Sequence, residues 1–197
     1  MKKIKQFGDI PYYIANDKNR KGQPIILHIH GAGSRGSIET AIGANPVLRY
    51  AEAHADFPFK IYAPVCMKDT WFDLYEQLSA FIEYLRENEV SSDIFLCGIS
   101  MGGYCSWQLL QSKPEFFKKA IICCGGGMYW NAGRIKTPVR AFHGRLDRSV
   151  FPEESEKMVN AVNACGGSAV LTFYDELSHN VWDTVFSDKE NYKWLLK

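Results

Sequence analysis

The chain has 197 residues, of which 46% are hydrophobic and 23% are charged, and its formal net charge is +1. This length is enough for a domain with a substantial core, and this composition excludes an intrinsically disordered protein. The small net charge indicates neither a nucleic-acid partner nor binding to an anionic membrane surface. We therefore expect one globular domain over residues 1–197, with no membrane partner.

The first residues, MKKIKQFGDIPYY, contain lysines but no apolar stretch behind them, so we predict no signal peptide. No later segment is apolar for long enough to span a bilayer. Most of the six cysteines lie within apolar runs, and none forms a C-x-x-C pair. This usage is typical of reduced, buried thiols and argues against a disulfide network, so we expect a cytoplasmic protein.

Strands alternate with helices along the chain. The predicted strands cover residues 25–30, 61–66, 94–97, 119–125, 139–144 and 169–175. The predicted helices cover residues 72–88, 101–111, 152–167 and 187–197, the last beginning with a Ser-x-x-Glu capping box at residues 187–190. This alternation predicts an α/β fold with a mostly parallel sheet that is covered by helices on both faces.

The sequence LCGISMGGYC, residues 96–105, connects a predicted strand directly to a predicted helix. Such a turn must be sharp, and Gly98 and Gly102 leave no Cβ to collide with the neighbouring elements. Ser100 at the apex is then held in an uncommon backbone conformation with its hydroxyl exposed above the sheet, as a G-x-S-x-G nucleophile would be. The alternative is a glycine-rich loop with a chance serine.

A serine nucleophile needs a base, and the chain offers five histidines. His28 and His30 share one face of a strand, but no third metal ligand lies near them in sequence. His54 is expected on a helix surface, and His143 at the end of a strand has the position of a turn residue. His179 follows the last predicted strand, where ligands bind in parallel sheets, and is the preferred base.

The base needs an orienting carboxylate, and no Asp or Glu occurs between Glu115 and Asp147. The loop after residues 119–125 therefore cannot supply it. Asp147 directly follows the next predicted strand, and we prefer it, although an aspartate there is commonly a turn or capping residue. Asp175 and Asp183, on either side of His179, are the competing candidates.

The chain resembles the α/β-hydrolase superfamily in the order of Ser100, Asp147 and His179 along the sequence and in five motifs. The motifs are LHIHGAGSRGS, IYAPVC, GISMGGY, HGRLDRSV and LSHNVWDTVFSDKENYKWLL, spread over residues 25–197. More narrowly, they resemble small bacterial esterases of the phospholipase/carboxylesterase, dienelactone-hydrolase-like or "predicted peptidase" type. Two departures stand out: Ser34 occupies a position that is usually glutamate in the relatives, and the short segment before Ile25 implies reduced or missing N-terminal strands.

Attack on an ester creates an oxyanion, which two backbone N–H groups can bind. Met101 follows the nucleophile at a helix start and would supply the first. The resemblance implies that Ala32, in an H-G-x loop, supplies the second. His179 would move the proton and Asp147 would fix its tautomer, so the chemistry requires neither a metal nor an organic cofactor.

The connection Gly125–Pro138 is too short for a large cap domain, so we expect an open site. Trp71, Trp130 and Trp182 are candidates for substrate binding, with core packing as the alternative for each. These features favour a serine carboxylesterase for small, aryl or carbohydrate-linked esters. A serine peptidase with the same residues and a non-catalytic binding protein with this fold remain alternatives.

Overall fold

The computed structural model describes residues 2–89 and 92–197. The strands are β1 (Lys3–Phe7), β2 (Ile10–Ala15), β3 (Ile25–Ile29), β4 (Lys60–Pro64), β5 (Ile94–Ile99), β6 (Ala120–Cys123), β7 (Val139–Gly144) and β8 (Ala169–Tyr174). The α-helices are α1 (Ile38–Ala44), α2 (Pro46–Ala53), α3 (Tyr75–Asn88), α4 (Met101–Ser112), α5 (Glu153–Ala164), α6 (Trp182–Ser187) and α7 (Lys189–Leu196). Short 3-10 helices cover Ala32–Ser34, Trp71–Leu74 and Tyr129–Arg134.

All eight strands belong to one sheet, in the order β1-β2-β4-β3-β5-β6-β7-β8. β2 pairs antiparallel with both β1 and β4, and the pairs from β4 to β8 are parallel. The carboxyl ends of β3, β5, β6, β7 and β8 therefore lie along the same edge. In a parallel sheet this edge is where ligands bind, so the loops that follow these strands build the site.

The central strands are buried on both faces, which explains their nearly continuous apolar sequences. Along β3, Leu27 and Ile29 pack on one face, where α3, α4 and α5 form the first core cluster. Ile26 packs on the other face against the second cluster, to which α1, α2, α6 and α7 contribute. The predicted α/β fold with helices on both faces is confirmed.

Every predicted strand and helix corresponds to an observed element, with boundaries that differ by a few residues. The structure adds β1, β2, α1 and α6, which the sequence patterns did not reveal, and it gives the bounds of α2, the helix that ends at the exposed His54. The N-terminal strands are thus present and short, at five and six residues. The predicted capping box of the last helix is wrong, because Asp188 rather than Ser187 is the N-cap, and its side chain accepts from the Glu190 amide.

Two further expectations can be compared with the structure. Five of the six cysteines are buried, Cys165 is exposed, and all six, which lie in the described part of the chain, are free thiols. The connection from β6 to β7 contains only the 3-10 helix Tyr129–Arg134, which is too small to be a cap domain. Among the described residues, no helix has both the length and the apolar character that crossing a membrane requires.

Two glycines allow β5 to turn directly into α4. A Cβ on Gly102 would lie 2.1 Å from the carbonyl oxygen of Ile29, in the backbone of β3. A Cβ on Gly98 would lie 2.6 Å from the carbonyl oxygen of Gly102 and 2.0 Å from the hydroxyl of Ser106. Because backbone atoms cannot move aside as a flexible side chain can, α4 begins against β3 only if residue 102 has no side chain.

We predict that Gly102→Ala lowers the free energy of unfolding by about 3 kcal/mol, since the added methyl group forces backbone apart in a packed sheet. Urea unfolding of purified protein measures the effect. Gly43→Ala is the matched control: its Cβ meets no atom within 4 Å, and within α1 it should stabilise by about 0.5–1 kcal/mol. Equal stabilities of Gly102→Ala and the wild type would contradict the steric argument.

Candidate active site

Ser100 occupies the apex between β5 and α4. Its φ of 54° and ψ of −117° are unusual for a residue with a side chain, and its amide donates to the carbonyl of Cys123 over 2.8 Å. The surrounding packing holds this strained conformation, which directs the hydroxyl toward the loop that follows β8. The sequence prediction of a sharp strand-to-helix turn is confirmed.

The imidazole of His179 lies between the Ser100 hydroxyl and the Asp147 carboxylate. Its Nε2 is 2.9 Å from Oγ of Ser100, and its Nδ1 is 2.6 Å from Oδ2 of Asp147. An ionised carboxylate can only accept, so Nδ1–H donates to Asp147 and the Ser100 hydroxyl donates to Nε2. The thiol of Cys124, at the end of β6, donates to the carbonyl of His179 over 3.1 Å and helps to hold the loop.

Asp147 is 3% exposed, and the backbone around it compensates for this burial. Its Oδ1 accepts from the amides of Ser149 and Val150 at 2.8 and 3.0 Å, in an Asx-type turn. Burial raises the pKa of the Asp147 carboxyl, but the hydrogen bonds from His179, Val150 and Ser149 outweigh burial and hold the pKa below its ordinary value. Asp147 is therefore ionised at neutral pH.

The competing carboxylates face away from the imidazole. Asp175 is exposed and accepts from Nε of Arg145 over 2.6 Å. Asp183 is exposed as well and pairs with Arg49 on the surface. The structure thus brings Ser100, Asp147 and His179 together, and the other two aspartates do not take part in this arrangement.

Sequence reasoning missed a second histidine that contacts Asp147. His143 is fully buried, and its Nε2 lies 3.2 Å from Oδ2 of Asp147 and 2.9 Å from the carbonyl of Val150. Both of these oxygens accept, so Nε2 carries a proton, and Nδ1 contacts the Ser155 hydroxyl at 2.8 Å. The sequence signal for this contact is the spacing of four residues between His143 and Asp147 in HGRLD, where we expected His143 to be only a turn residue.

Cys124, His143 and Asp147 also form a group of potential metal ligands whose donor atoms lie within 4.8 Å of one another. Each of these atoms already has a hydrogen-bond partner in the protein. Burial raises the pKa of the Cys124 thiol to about 12, whereas metal binding requires the thiolate. The residues present fit a hydrogen-bonded network better than a cation site.

The loop after β3 lies opposite the Ser100 hydroxyl. Ala32 begins the 3-10 helix of this loop, and Met101 is the first residue of α4, where amides have no partner within the helix. The imidazole of His30 fixes the loop: its Nε2 accepts from the Cys66 amide at 3.0 Å, so its Nδ1–H donates to the Gly31 carbonyl at 2.7 Å. These contacts hold the loop that contains Ala32 beside Ser100.

The three tryptophans singled out in the sequence have different positions. Trp71 is fully buried and donates from Nε1 to the His30 carbonyl over 2.9 Å, beneath the loop after β3. Trp130 is 73% exposed and contacts Tyr129. Trp182 packs edge-on against the His179 ring, with 5.2 Å between the ring centroids.

A cavity of about 520 Å³ opens beside Ser100. Ala32, Ser34, Ile99, Val150, His179 and Trp182 are among the residues of its wall. Trp71 and Trp130 do not belong to that wall, so of the three tryptophans only Trp182 lies where a bound ligand would contact it. Ser34, which occupies a position where the resembling esterases usually have glutamate, is buried in the wall near Ala32.

Comparisons with known proteins agree with this architecture. The family model of serine aminopeptidase, S33, matches residues 66–132, about a third of the chain and including Ser100, whereas no curated protein matches significantly. A thermostable esterase is 27% identical with a TM-score of 0.81, covering 100% of this chain and 62% of its own. The chain thus spans about three fifths of that esterase.

Two further solved structures share the fold at lower identity. Est1E from Butyrivibrio proteoclasticus is 12% identical with a TM-score of 0.76, covering 99% of this chain and 98% of its own. A putative dienelactone hydrolase from Klebsiella pneumoniae subsp. pneumoniae MGH 78578 is 17% identical with a TM-score of 0.69, covering 100% and 95%. Both therefore correspond to this chain over nearly its whole length.

We predict that Asp147→Asn lowers the free energy of unfolding at pH 7, because it removes an ionised group that the folded state stabilises. A carboxyl whose pKa is lowered by folding contributes stability above its ordinary pKa of 3.8 and loses it as the pH falls through the folded-state pKa. The deficit of the variant should therefore shrink below about pH 4.

Urea unfolding between pH 3 and pH 7 measures this prediction. Asp175→Asn is the control, because an exposed ion pair contributes little to stability. A deficit of Asp147→Asn that stays constant down to pH 3, or an equal effect of Asp175→Asn, would show that the charge of Asp147 is not what the fold stabilises.

Proposed function

The chain belongs to the α/β-hydrolase superfamily, and from this premise we propose that it is a serine carboxylesterase for small, aryl or carbohydrate-linked esters. The observation that carries the proposal is the position of one imidazole, hydrogen-bonded to the Ser100 hydroxyl at 2.9 Å and to the Asp147 carboxylate at 2.6 Å. This arrangement makes a weak nucleophile reactive, because the proton has an acceptor at the moment the hydroxyl attacks.

In the first step, Ser100 Oγ attacks the carbonyl carbon of the ester while His179 Nε2 takes its proton. The tetrahedral intermediate carries its negative charge on the former carbonyl oxygen. The amides of Met101 and Ala32 are the proposed donors to this oxyanion, and the start of α4 adds favourable backbone dipoles. The C–O bond then breaks, and His179 returns the proton to the leaving alcohol.

In the second step, water attacks the acyl group on Ser100 and His179 takes a proton from the water. The intermediate collapses to the free acid, and Ser100 recovers its proton from His179. Asp147 stabilises the imidazolium formed in each half-reaction and fixes the tautomer that accepts at Nε2. Four contacts hold this carboxylate in place. The amides of Ser149 and Val150 donate to Asp147, and His143 Nε2 contacts both Asp147 and the Val150 carbonyl.

The size of the cavity and the residues of its wall support the proposed substrate class. Its volume of about 520 Å³ suits a ligand of moderate size, and Ile99, Val150 and Trp182 give it apolar walls. The short 3-10 helix between β6 and β7 leaves the rim open, so a bulky alcohol can extend into solvent. These properties favour small and aryl acyl groups and tolerate large leaving groups, including sugars.

A serine peptidase is the second candidate, because the matching family model is described as serine aminopeptidase, S33. An amide requires protonation of a much poorer leaving group than an alkoxide. None of the described residues in the wall of the cavity beside Ser100 is an Asp or Glu that could bind the terminal ammonium group of an aminopeptidase substrate. The third possibility is a non-catalytic binding protein. Binding alone would not require the strained backbone of Ser100 or an imidazole hydrogen-bonded to its hydroxyl.

We predict that a fluorophosphonate probe labels the wild type and that Ser100→Ala is not labelled, because the probe reacts only with an activated hydroxyl. The same substitution should lower kcat for ester hydrolysis by at least about 10⁴-fold. Ser112→Ala, an exposed serine of the same helix, is the matched control and should keep both properties. Folded wild type that resists labelling would favour the non-catalytic alternative.

We predict that methyl 3-phenylpropanoate is cleaved with a far higher kcat/KM than alanine p-nitroanilide, a substrate with the free amino group that an aminopeptidase needs, because none of the described residues of the cavity wall is an Asp or Glu that could bind the ammonium group. The two kcat/KM values, each corrected for Ser100→Ala, measure the preference. Comparable values for the ester and the anilide would instead support the peptidase.

A further inference from the structure

His143 belongs to a chain of hydrogen bonds behind the Asp147 carboxylate. His143 and Ser155, which lies in α5, are both fully buried. Nδ1 of His143 lies 2.8 Å from the Ser155 hydroxyl, which donates to the Gly125 carbonyl over 2.9 Å. On the other side of the ring, Nε2 lies 2.9 Å from the Val150 carbonyl and 3.2 Å from Asp147 Oδ2. The chain therefore runs from the loop after β6 to the carboxylate of the active site.

The number of hydrogens in this chain determines the charge of His143. The two oxygens that face Nε2 belong to a carbonyl and a carboxylate, which can only accept, so Nε2 carries a proton. The Ser155 hydroxyl has one hydrogen, and it donates this hydrogen to the Gly125 carbonyl. The contact between Ser155 Oγ and Nδ1 then needs a hydrogen from Nδ1. With protons on both ring nitrogens, His143 is an imidazolium cation.

A neutral His143 would leave one of these short contacts without a hydrogen. If the Ser155 hydroxyl donated to Nδ1 instead, its oxygen would face the Gly125 carbonyl oxygen at 2.9 Å with no hydrogen between them. The Gly125 carbonyl also accepts from Trp107 Nε1 over 3.3 Å, but that bond does not remove the contact between the two oxygens. Only the imidazolium makes every contact of the chain a hydrogen bond.

A fully buried cation requires a counter-charge, and the Asp147 carboxylate provides one. Its Oδ2 lies 3.2 Å from Nε2 of His143 and 2.6 Å from Nδ1 of His179. No lysine or arginine forms an ion pair with Asp147 in the part of the chain that the structure describes. His143 is therefore the group that can balance this carboxylate while His179 is neutral.

The other titratable groups around His143 leave this balance unchanged at neutral pH. Cys124, at the end of β6, is a thiol whose pKa burial raises to about 12. Tyr104 of α4 is an un-ionised phenol, and burial is the main cause that raises its pKa. Glu154 of α5 pairs with Lys157 over 3.4 Å. The residue that pairs with His143 in β8 is a phenylalanine, which is uncharged.

We propose that His143 is a positioning residue that carries a positive charge at neutral pH and pairs with Asp147 behind the catalytic imidazole. The positive charge opposes protonation of His179, because both rings contact the same carboxylate oxygen. His179 therefore stays unprotonated, and able to accept the hydrogen of Ser100, at a lower pH than an unbalanced aspartate would allow. This effect on the rate rests on the proposed function, whereas the charge of His143 can be measured without a substrate.

NMR of ¹³C,¹⁵N-labelled wild-type protein tests the charge at pH 7.5, above the ordinary histidine pKa of about 6.5. Correlations with its own backbone assign the ring of His143. We expect both of its ring nitrogens to have the chemical shift of protonated imidazole nitrogens. His30 is the internal control: burial lowers its pKa to about 4, so it should show one protonated and one unprotonated nitrogen. An unprotonated nitrogen in His143 would overturn the proposal.

The pH dependence of kcat/KM for methyl 3-phenylpropanoate tests the effect on His179. His143→Gln removes the charge and keeps a donor that can reach toward Asp147. The acid limb of the profile should then move to higher pH by about one to two units, since a nearby positive charge is lost. Cys124→Ala is the matched control, because it removes an uncharged contact to the His179 carbonyl and should lower the rate without moving the limb. Coinciding acid limbs of His143→Gln and the wild type would refute the charge.

The two experiments separate the charge of His143 from the proposed function. If His143→Gln does not fold, the NMR measurement on the wild type decides the charge. Hydrolysis by a wild type whose His143 has an unprotonated nitrogen would refute the charge alone. The absence of both hydrolysis and fluorophosphonate labelling would refute the proposed function, and the ring nitrogens would still show whether His143 is a cation.

Discussion

The close approach of α4 to the backbone of β3 determines the geometry of the whole site. Gly102 leaves room for the Ile29 carbonyl, so the helix starts immediately after β5 without a longer connecting loop. This abrupt start places Ser100 at a φ of 54° and directs its hydroxyl outward. It also brings the first turn of α4 beside the loop that contains Ala32, because the same strand, β3, lies behind both. The nucleophile and the proposed oxyanion donors are thus positioned by one packing constraint.

The second requirement of the site is a buried carboxylate that stays ionised. Isolated in an apolar environment, the Asp147 carboxyl would take up a proton, and the imidazole would lose its orienting charge. The turn that follows β7 prevents this by directing two amides at one oxygen, while His179 and His143 contact the other. The proton of Ser100 can then move to His179 without any change in the carboxylate. Stability and reactivity therefore depend on the same few hydrogen bonds.

The sequence identified the parts of the site that leave local signals. Ser100 lies in a motif with its own steric logic, and Asp147 and His179 follow strands whose apolar runs are easy to recognise. Other parts have no such signal. β1 is an exposed edge strand of mostly polar residues, and α1 and α2 are short helices in a segment that contains glycine and proline. The contact of His143 with Asp147 depends on the depth at which the strand end is buried, which the residue types do not reveal.

The tryptophans also show what the sequence cannot predict. Residue type alone does not tell a tryptophan in the cavity wall from one that packs behind the wall. Trp71 acts on the site only through its hydrogen bond to the His30 carbonyl, and Trp182 touches the imidazole itself. The cavity wall contains the neutral histidines His28 and His30, and the Asp147 carboxylate lies behind the His179 imidazole, outside that wall. Because a low-dielectric interior strengthens the charge interactions beside it, an uncharged substrate group that excludes water from the cavity would also favour the imidazolium–carboxylate pair formed during the reaction.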